Sequence, residues 1–175
     1  MKQVYEILSR YVIALAIMAI SLIFPIFYII FKPLTVFPVI FILKLFYNVS
    51  VLNSGSIAIN NVGIELISSC IASSAYMLLF ILNLITKGIS LKKRFFIFLF
   101  DAALLLIMNI LRILILVVMA VNNFSIFDVT HKLFWYGIST FYVFLIWVLS
   151  VYVFKIRSIP FVSDILFLSN SGKKS

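Results

Sequence analysis

The chain reads as an all-α transmembrane helix bundle of four or five spans, with a small external β-like segment ahead of its later helices. Three observations predict this. The composition is 65% hydrophobic and only 11% charged, with a mean hydropathy of +1.28, whereas a soluble domain of this size must cover itself with polar surface. The 14 Lys and Arg outnumber the 5 Asp and Glu, and they fall between and beside apolar runs, as the positive-inside rule distributes them. One stretch, 48–67, departs from the apolar pattern in favour of Asn, Gly, Val and Ile. All 175 residues are taken as a single integral membrane domain.

The elements follow in order. Tyr11 to Phe31 is the first span, 11–31, with Pro25 near its far end. It is long for the apolar part of a signal peptide and has no small-residue cleavage site after it, so it is read as retained. Lys32-Pro33 punctuates. Leu34 to Tyr47, 34–47, is short and carries Pro38 and Lys44. It is either an interfacial helix or a fifth span with Lys44 snorkelling to the interface. If it does not span, the N-terminus lies inside, which Lys2 and Arg10 favour.

Asn48 to Ile67 reads NVSVLNSGSIAINNVGIELI, with Asn-Ser-Gly-Ser and Asn-Asn-Val-Gly as turn signals. That pattern predicts two or three short strands. Open strand edges do not survive in lipid, so the segment belongs at a water-facing surface or against other protein. There it would cover a site as a platform for an extended peptide.

Three later spans are expected. Ser68-Ser69 caps a helix over 70–85. After a basic loop holding Lys87, Lys92, Lys93 and Arg94, a second runs over 95–121, interrupted by Asp101, Asn109 and Arg112. A third runs over 133–154, opened by His131 and closed by Lys155 and Arg157. The basic loop and the Lys155/Arg157 end are assigned to the cytoplasm, which places 48–67 and the loop 122–130 outside.

This topology brings chemistry to one half of the membrane. Cys70, the single cysteine, starts a helix at the outer end, where a helix N-terminus favours the thiolate. The plainer alternative is a small buried hydrophobe. Arg112 lies nine residues before Val121, about 14 Å below the outer end of its helix. An intramembrane arginine is a functional candidate by default. Asp101 lies too far down the same helix, about 16 Å, to pair with it. Asn109 shares the face of Arg112 and could orient it or hold substrate. His131 is the only histidine, and a histidine beside a thiol is the usual acid and base of acyl transfer. Ser73 and Ser74 lie one turn into the Cys70 helix. Glu65 and Asp128 read as solvated surface. No phosphate-binding loop, HExxH or GxSxG motif is present. A lone cysteine allows no internal disulfide and no cysteine-based metal site.

In order, G-I-E-L-I-S-S-C running into a helix, then N-I-L-R, then a histidine opening the next helix, the chain resembles the archaeosortase/exosortase family over about Leu45 to Tyr152. It differs where the family often has Ser-Gly after its cysteine and this chain has Ile71-Ala72. The resemblance implies a membrane cysteine transpeptidase at the external face of the plasma membrane. Its partners would be exported proteins with a C-terminal transmembrane sorting signal and a lipid or glycan acceptor. It implies Cys70 as nucleophile, Arg112 as stabiliser of thiolate or oxyanion, and His131 as acid and base, with Asn109 and Ser73 toward substrate. It calls for no cofactor and no metal, and nucleic acid is not an expected partner, because the basic residues form no continuous face. Two other readings stay open: a small transport or channel subunit with Arg112 and Asp101 along a polar path, and a structural membrane partner without chemistry.

Overall fold

The computed structural model describes residues 2–53, 56–60, 62–66 and 68–156. Residues 157–175, Arg157 among them, and parts of both turn signals in 48–67 lie outside these. The described chain is mainly helical, with one small sheet: α1 (Lys2–Ile23), α2 (Ile26–Phe46), β1 (Val49–Asn53), β2 (Ser56–Ile59), β3 (Val62–Glu65), α3 (Ser68–Ile71), α4 (Ser73–Ile85), α5 (Leu91–Val121), α6 (Phe127–Leu133) and α7 (Ser139–Val153). A π-turn, Phe134–Ile138, joins α6 to α7, so the backbone stays helical from Phe127 to Val153.

The first two helices divide differently from the expectation. The break falls at Phe24-Pro25, not at Lys32-Pro33. Pro33 and Pro38 both lie inside α2. A proline at the first positions of a helix costs nothing because its missing N–H had no intrahelical partner, so Pro25 caps α2. Inside α2 the two prolines are the kind of interruption that apolar membrane helices tolerate. The segment 34–47 is therefore no separate short helix but the second half of α2.

α2, at 21 residues, and α5, at 31, are long and apolar enough to cross a membrane, and only 28% of each apolar window is buried within the chain. Most of that apolar surface therefore needs an apolar partner beyond the chain itself. The other apolar stretches are shorter, Ile7–Ser21 within α1, 13 residues in α4 and 15 in α7, against the roughly 20 that a crossing needs. By length and apolar composition together, two elements meet the requirement rather than four or five. The shortening has local causes: α4 is cut back by a break at Ala72, and the π-turn divides the last helical stretch.

α5 is the central helix and packs against α2, α4 and α7. It starts at Leu91, absorbing Lys92, Lys93 and Arg94 from the expected loop, because Ser90 caps it by accepting from the Lys93 N–H at 3.5 Å. The turn between α4 and α5 uses Gly88 at a φ of +75°, a left-handed position that suits glycine. The end of α4 leaves carbonyls without intrahelical partners. Arg94 donates to the carbonyls of Asn83, of Leu84 at 2.9 Å and of Thr86 at 2.6 Å. Arg10 of α1 donates to the Ile85 carbonyl at 2.7 Å. Two cations thus close the negative end of the α4 dipole. At mid-depth Phe31 stacks on the fully buried Tyr76, centroids 3.5 Å apart, joining α2 to α4. Lower down α5, Asp101 is fully buried and accepts from the Ser150 hydroxyl of α7.

The stretch 48–67 forms strands as expected. They make an antiparallel sheet in the order β1-β2-β3, with Ile57 opposite Ile64 and Ala58 opposite Gly63. Ile57 and Ile59 are buried and alternate with half-buried Ser56 and Ala58, so one face of β2 anchors the sheet to the helices. β3 leads directly into α3 and so fixes where Cys70 lies.

Candidate active site

The path from β3 to α4 is not the continuous capped helix that the sequence predicts. Cys70 is the third residue of α3, a single four-residue turn. Ala72 then adopts a left-handed conformation, φ 56° and ψ 34°, and α4 begins at Ser73. The capping expected of the Ser68 and Ser69 side chains lies outside the described residues. One helical turn carries too few aligned peptides for a macrodipole, so the dipole argument for a Cys70 thiolate does not hold in its simple form.

The break has a different consequence. In an uninterrupted helix the Cys70 carbonyl would bond to the N–H of Ser74, four residues on. The reversal at Ala72 turns that carbonyl toward α5. There it accepts from Asn109 Nδ2 at 2.9 Å and from Arg112 Nη2 at 3.4 Å. Asn109 is fully buried and Arg112 is buried, so both polar groups find in this carbonyl part of the compensation that burial requires. The expectation that Asn109 and Arg112 share a face is met, and what that face grips is the backbone of the cysteine turn.

Arg112 also reaches the last helix. Its Nη1 donates to Ser139 Oγ at 2.9 Å. The Ser139 hydroxyl in turn donates to the Phe134 carbonyl, and Tyr142 donates to Ser139 at 3.3 Å. The Ser139 backbone N–H also returns to Phe134, five residues back, which defines the π-turn. Such bulges concentrate at functional sites. The guanidinium therefore ties α3 to the start of α7 using the planar fork that distinguishes Arg from Lys.

A cavity of about 360 Å³ opens above this junction, within the roughly 300–1,000 Å³ typical of ligand sites. Cys70, Arg112 and His131 all line it. Ile113, Leu116, Val117 and Ala120 of α5 form one apolar wall, spaced as a single helix face. β3 also lines it, and Phe127 and Phe134 contribute from the last helical stretch. His131 is half-buried in α6, and its ring lies 9° from parallel with Phe127 at a centroid distance of 5.7 Å. It thus sits in α6, near the start of the stretch that stays helical through the π-turn to Val153.

The remaining candidates divide. Ser73 is half-buried at the first turn of α4 and is not among the residues lining this cavity. Its neighbour Ser74 lines a second cavity of about 340 Å³, with Ser139, Thr140 and the other side of Arg112. Glu65, read from sequence as surface, is exposed yet lines the first cavity. Asp128 is exposed in α6 and lines neither. Ser139 was not singled out by sequence. It lies 27 residues from Arg112 among many hydroxyls, and only its place just after an aromatic-glycine run hinted at an irregular turn.

No protein-family model, curated protein or solved structure matches the chain.

Proposed function

We propose that the chain is a multi-pass membrane cysteine transpeptidase of the archaeosortase/exosortase type, acting at the external face of the plasma membrane. The observation that carries this reading is the cavity shared by Cys70, Arg112 and His131, three residues from three separate helical segments. The resemblance in motif order supports the same assignment. In this reading α1, α4 and the α6–α7 stretch cross the bilayer with α2 and α5, aided by their exposed apolar side chains.

The substrate is an exported protein held in the membrane by a C-terminal apolar helix, with its scissile peptide in the cavity. The Cys70 thiol passes its proton to His131, and the thiolate adds to the scissile carbonyl carbon. The C–N bond breaks, and the leaving amine takes the proton from the His131 imidazolium, which leaves a thioester on Cys70. A hydroxyl or amine of a lipid or glycan acceptor then attacks that thioester. It gives its proton to His131 and releases the Cys70 thiolate. Arg112 fixes the cysteine turn through the Cys70 carbonyl and sets positive charge beside the cavity where negative charge develops. Asn109 shares the positioning role.

The transport alternative needs Asp101 on a path with Arg112. Asp101 is instead fully buried against Ser150 and lines neither of the two cavities that Arg112 borders. Co-expression with an exported protein bearing a C-terminal anchor tests the enzymatic reading. Cys70→Ala and His131→Ala should each leave the anchor uncleaved at normal enzyme abundance. Cleavage at an unchanged rate in Cys70→Ala would end it.

A further inference from the structure

β3 borders the cavity in an unusual way. Along a strand, successive side chains point to opposite faces. A cavity lying over one face would be lined by every second residue. Here Val62, Gly63, Ile64 and Glu65 all line it, in unbroken succession. It is therefore the edge of the strand, with its main-chain N–H and C=O groups, that faces the cavity. The sheet order agrees: β3 pairs with β2 on one side and has no strand on its other side among the described residues. The strand then leads into Cys70 within a few residues.

An exposed strand edge presents a row of main-chain donors and acceptors. An extended peptide complements such a row residue by residue, with main-chain bonds giving affinity and alternate side chains giving selectivity. The same cavity is lined by the apolar face of α5, Ile113, Leu116 and Val117, which suits an apolar side chain projecting from a peptide laid on β3. Gly63 adds no side chain along this path, and nothing lies within 4 Å of where its Cβ would be.

We infer that β3 is the substrate-reading element: the peptide preceding the scissile bond adds to its edge as a fourth strand, one alternate side chain entering the α5 wall, which delivers the scissile carbonyl to Cys70. This rests on the transpeptidase reading and specifies its substrate as an extended segment recognised mainly through its backbone.

The test uses the full chain in detergent and the alkylation of Cys70 by the tetrapeptide reagent Leu-Val-Leu-Leu chloromethyl ketone, followed by intact mass, with Cys70→Ala as the control for labelling elsewhere. Each peptide nitrogen is methylated in turn. In an extended strand alternate N–H groups point the same way, so methylation at alternate positions should slow saturable labelling about tenfold, while the positions between change it less than about twofold. Equal slowing at every position, or none, would overturn strand pairing. So would labelling no faster than by chloroacetamide. None of these results depends on cellular processing, so the inference can fail while cleavage through Cys70 stands, and loss of Cys70-dependent cleavage would be recognised separately.

Discussion

Replacing Arg112 by Lys probes the junction on which the site is built. The guanidinium spans two partners, the Cys70 carbonyl at 3.4 Å and Ser139 Oγ at 2.9 Å, from different nitrogens. A lysine ammonium keeps the charge but is a single centre, and it cannot reproduce the fork. It can serve one partner well and leaves the other weakened. A hydrogen bond to a charged group is worth about 1.5–3 kcal/mol, which corresponds to about 10- to 150-fold in rate if it is fully expressed in the transition state. Because Asn109 still holds the Cys70 carbonyl at 2.9 Å, the turn itself should survive, so the loss should appear in rate rather than in abundance. The assay is the rate of cleavage of an anchored reporter, normalised to enzyme in the membrane, for Arg112→Lys, Ser139→Ala and the double variant. Neighbours acting through one network give non-additive effects, so the double variant should lose little more than Arg112→Lys alone. Wild-type rates in Arg112→Lys, or strictly additive losses, would refute the argument that Arg112 acts by bridging these two elements.

Other consequences are more local. Ala72 holds a left-handed conformation, so Ala72→Gly should be tolerated or stabilising. Ala72→Val adds β-branching where even a lone Cβ is crowded, so it should destabilise the chain further and lower the thermal midpoint of the detergent-solubilised protein; the reverse order of the two variants would refute a left-handed residue at this position. Arg94→Ala removes donors to three carbonyls at the end of α4 and should destabilise the chain by about 1–3 kcal/mol. That loss is readable as earlier thermal unfolding, with cleavage per folded molecule unchanged. Cys70 should react with a membrane-impermeant maleimide applied to intact cells. Labelling that requires opening the cytoplasmic side would reverse the proposed orientation.

How far the sequence could be read varied with the kind of signal. Composition was enough for the apolar helices, and the Asn, Gly and Val of 48–67 were enough for the strands, because both patterns are local. Prolines misled: Lys32-Pro33 looked like a boundary and Pro25 like an interruption, yet α2 runs through Pro33 and Pro38 and starts just after Pro25. An apolar segment supplies no competing turn chemistry, so the helix resumes wherever packing allows. The basic run Lys92-Lys93-Arg94 looked like loop because of its charge, yet Ser90 caps it into α5. In the site, Cys70, Arg112 and His131 were legible as candidates on three separate helical segments, and one cavity is lined by all three. The left-handed alanine had no legible signal, since alanine seldom adopts that conformation. With it went the observation that Asn109 and Arg112 hold a carbonyl rather than the thiol. Glu65 looked like an ordinary strand-end acid until the edge of β3 was placed along the cavity.

The central claim is that Cys70 becomes acylated by the substrate it cleaves. Membranes from cells co-expressing the chain and an anchored exported protein can be quenched rapidly in acid. Peptides containing Cys70 are then examined by mass spectrometry with and without hydroxylamine. The account predicts a hydroxylamine-labile adduct on Cys70 that carries the new C-terminal residues of the exported protein, absent in Cys70→Ser. It also predicts enrichment of that adduct when the acceptor is depleted. An exported protein that is cleaved at its normal rate while Cys70 stays unmodified under acceptor depletion would contradict it.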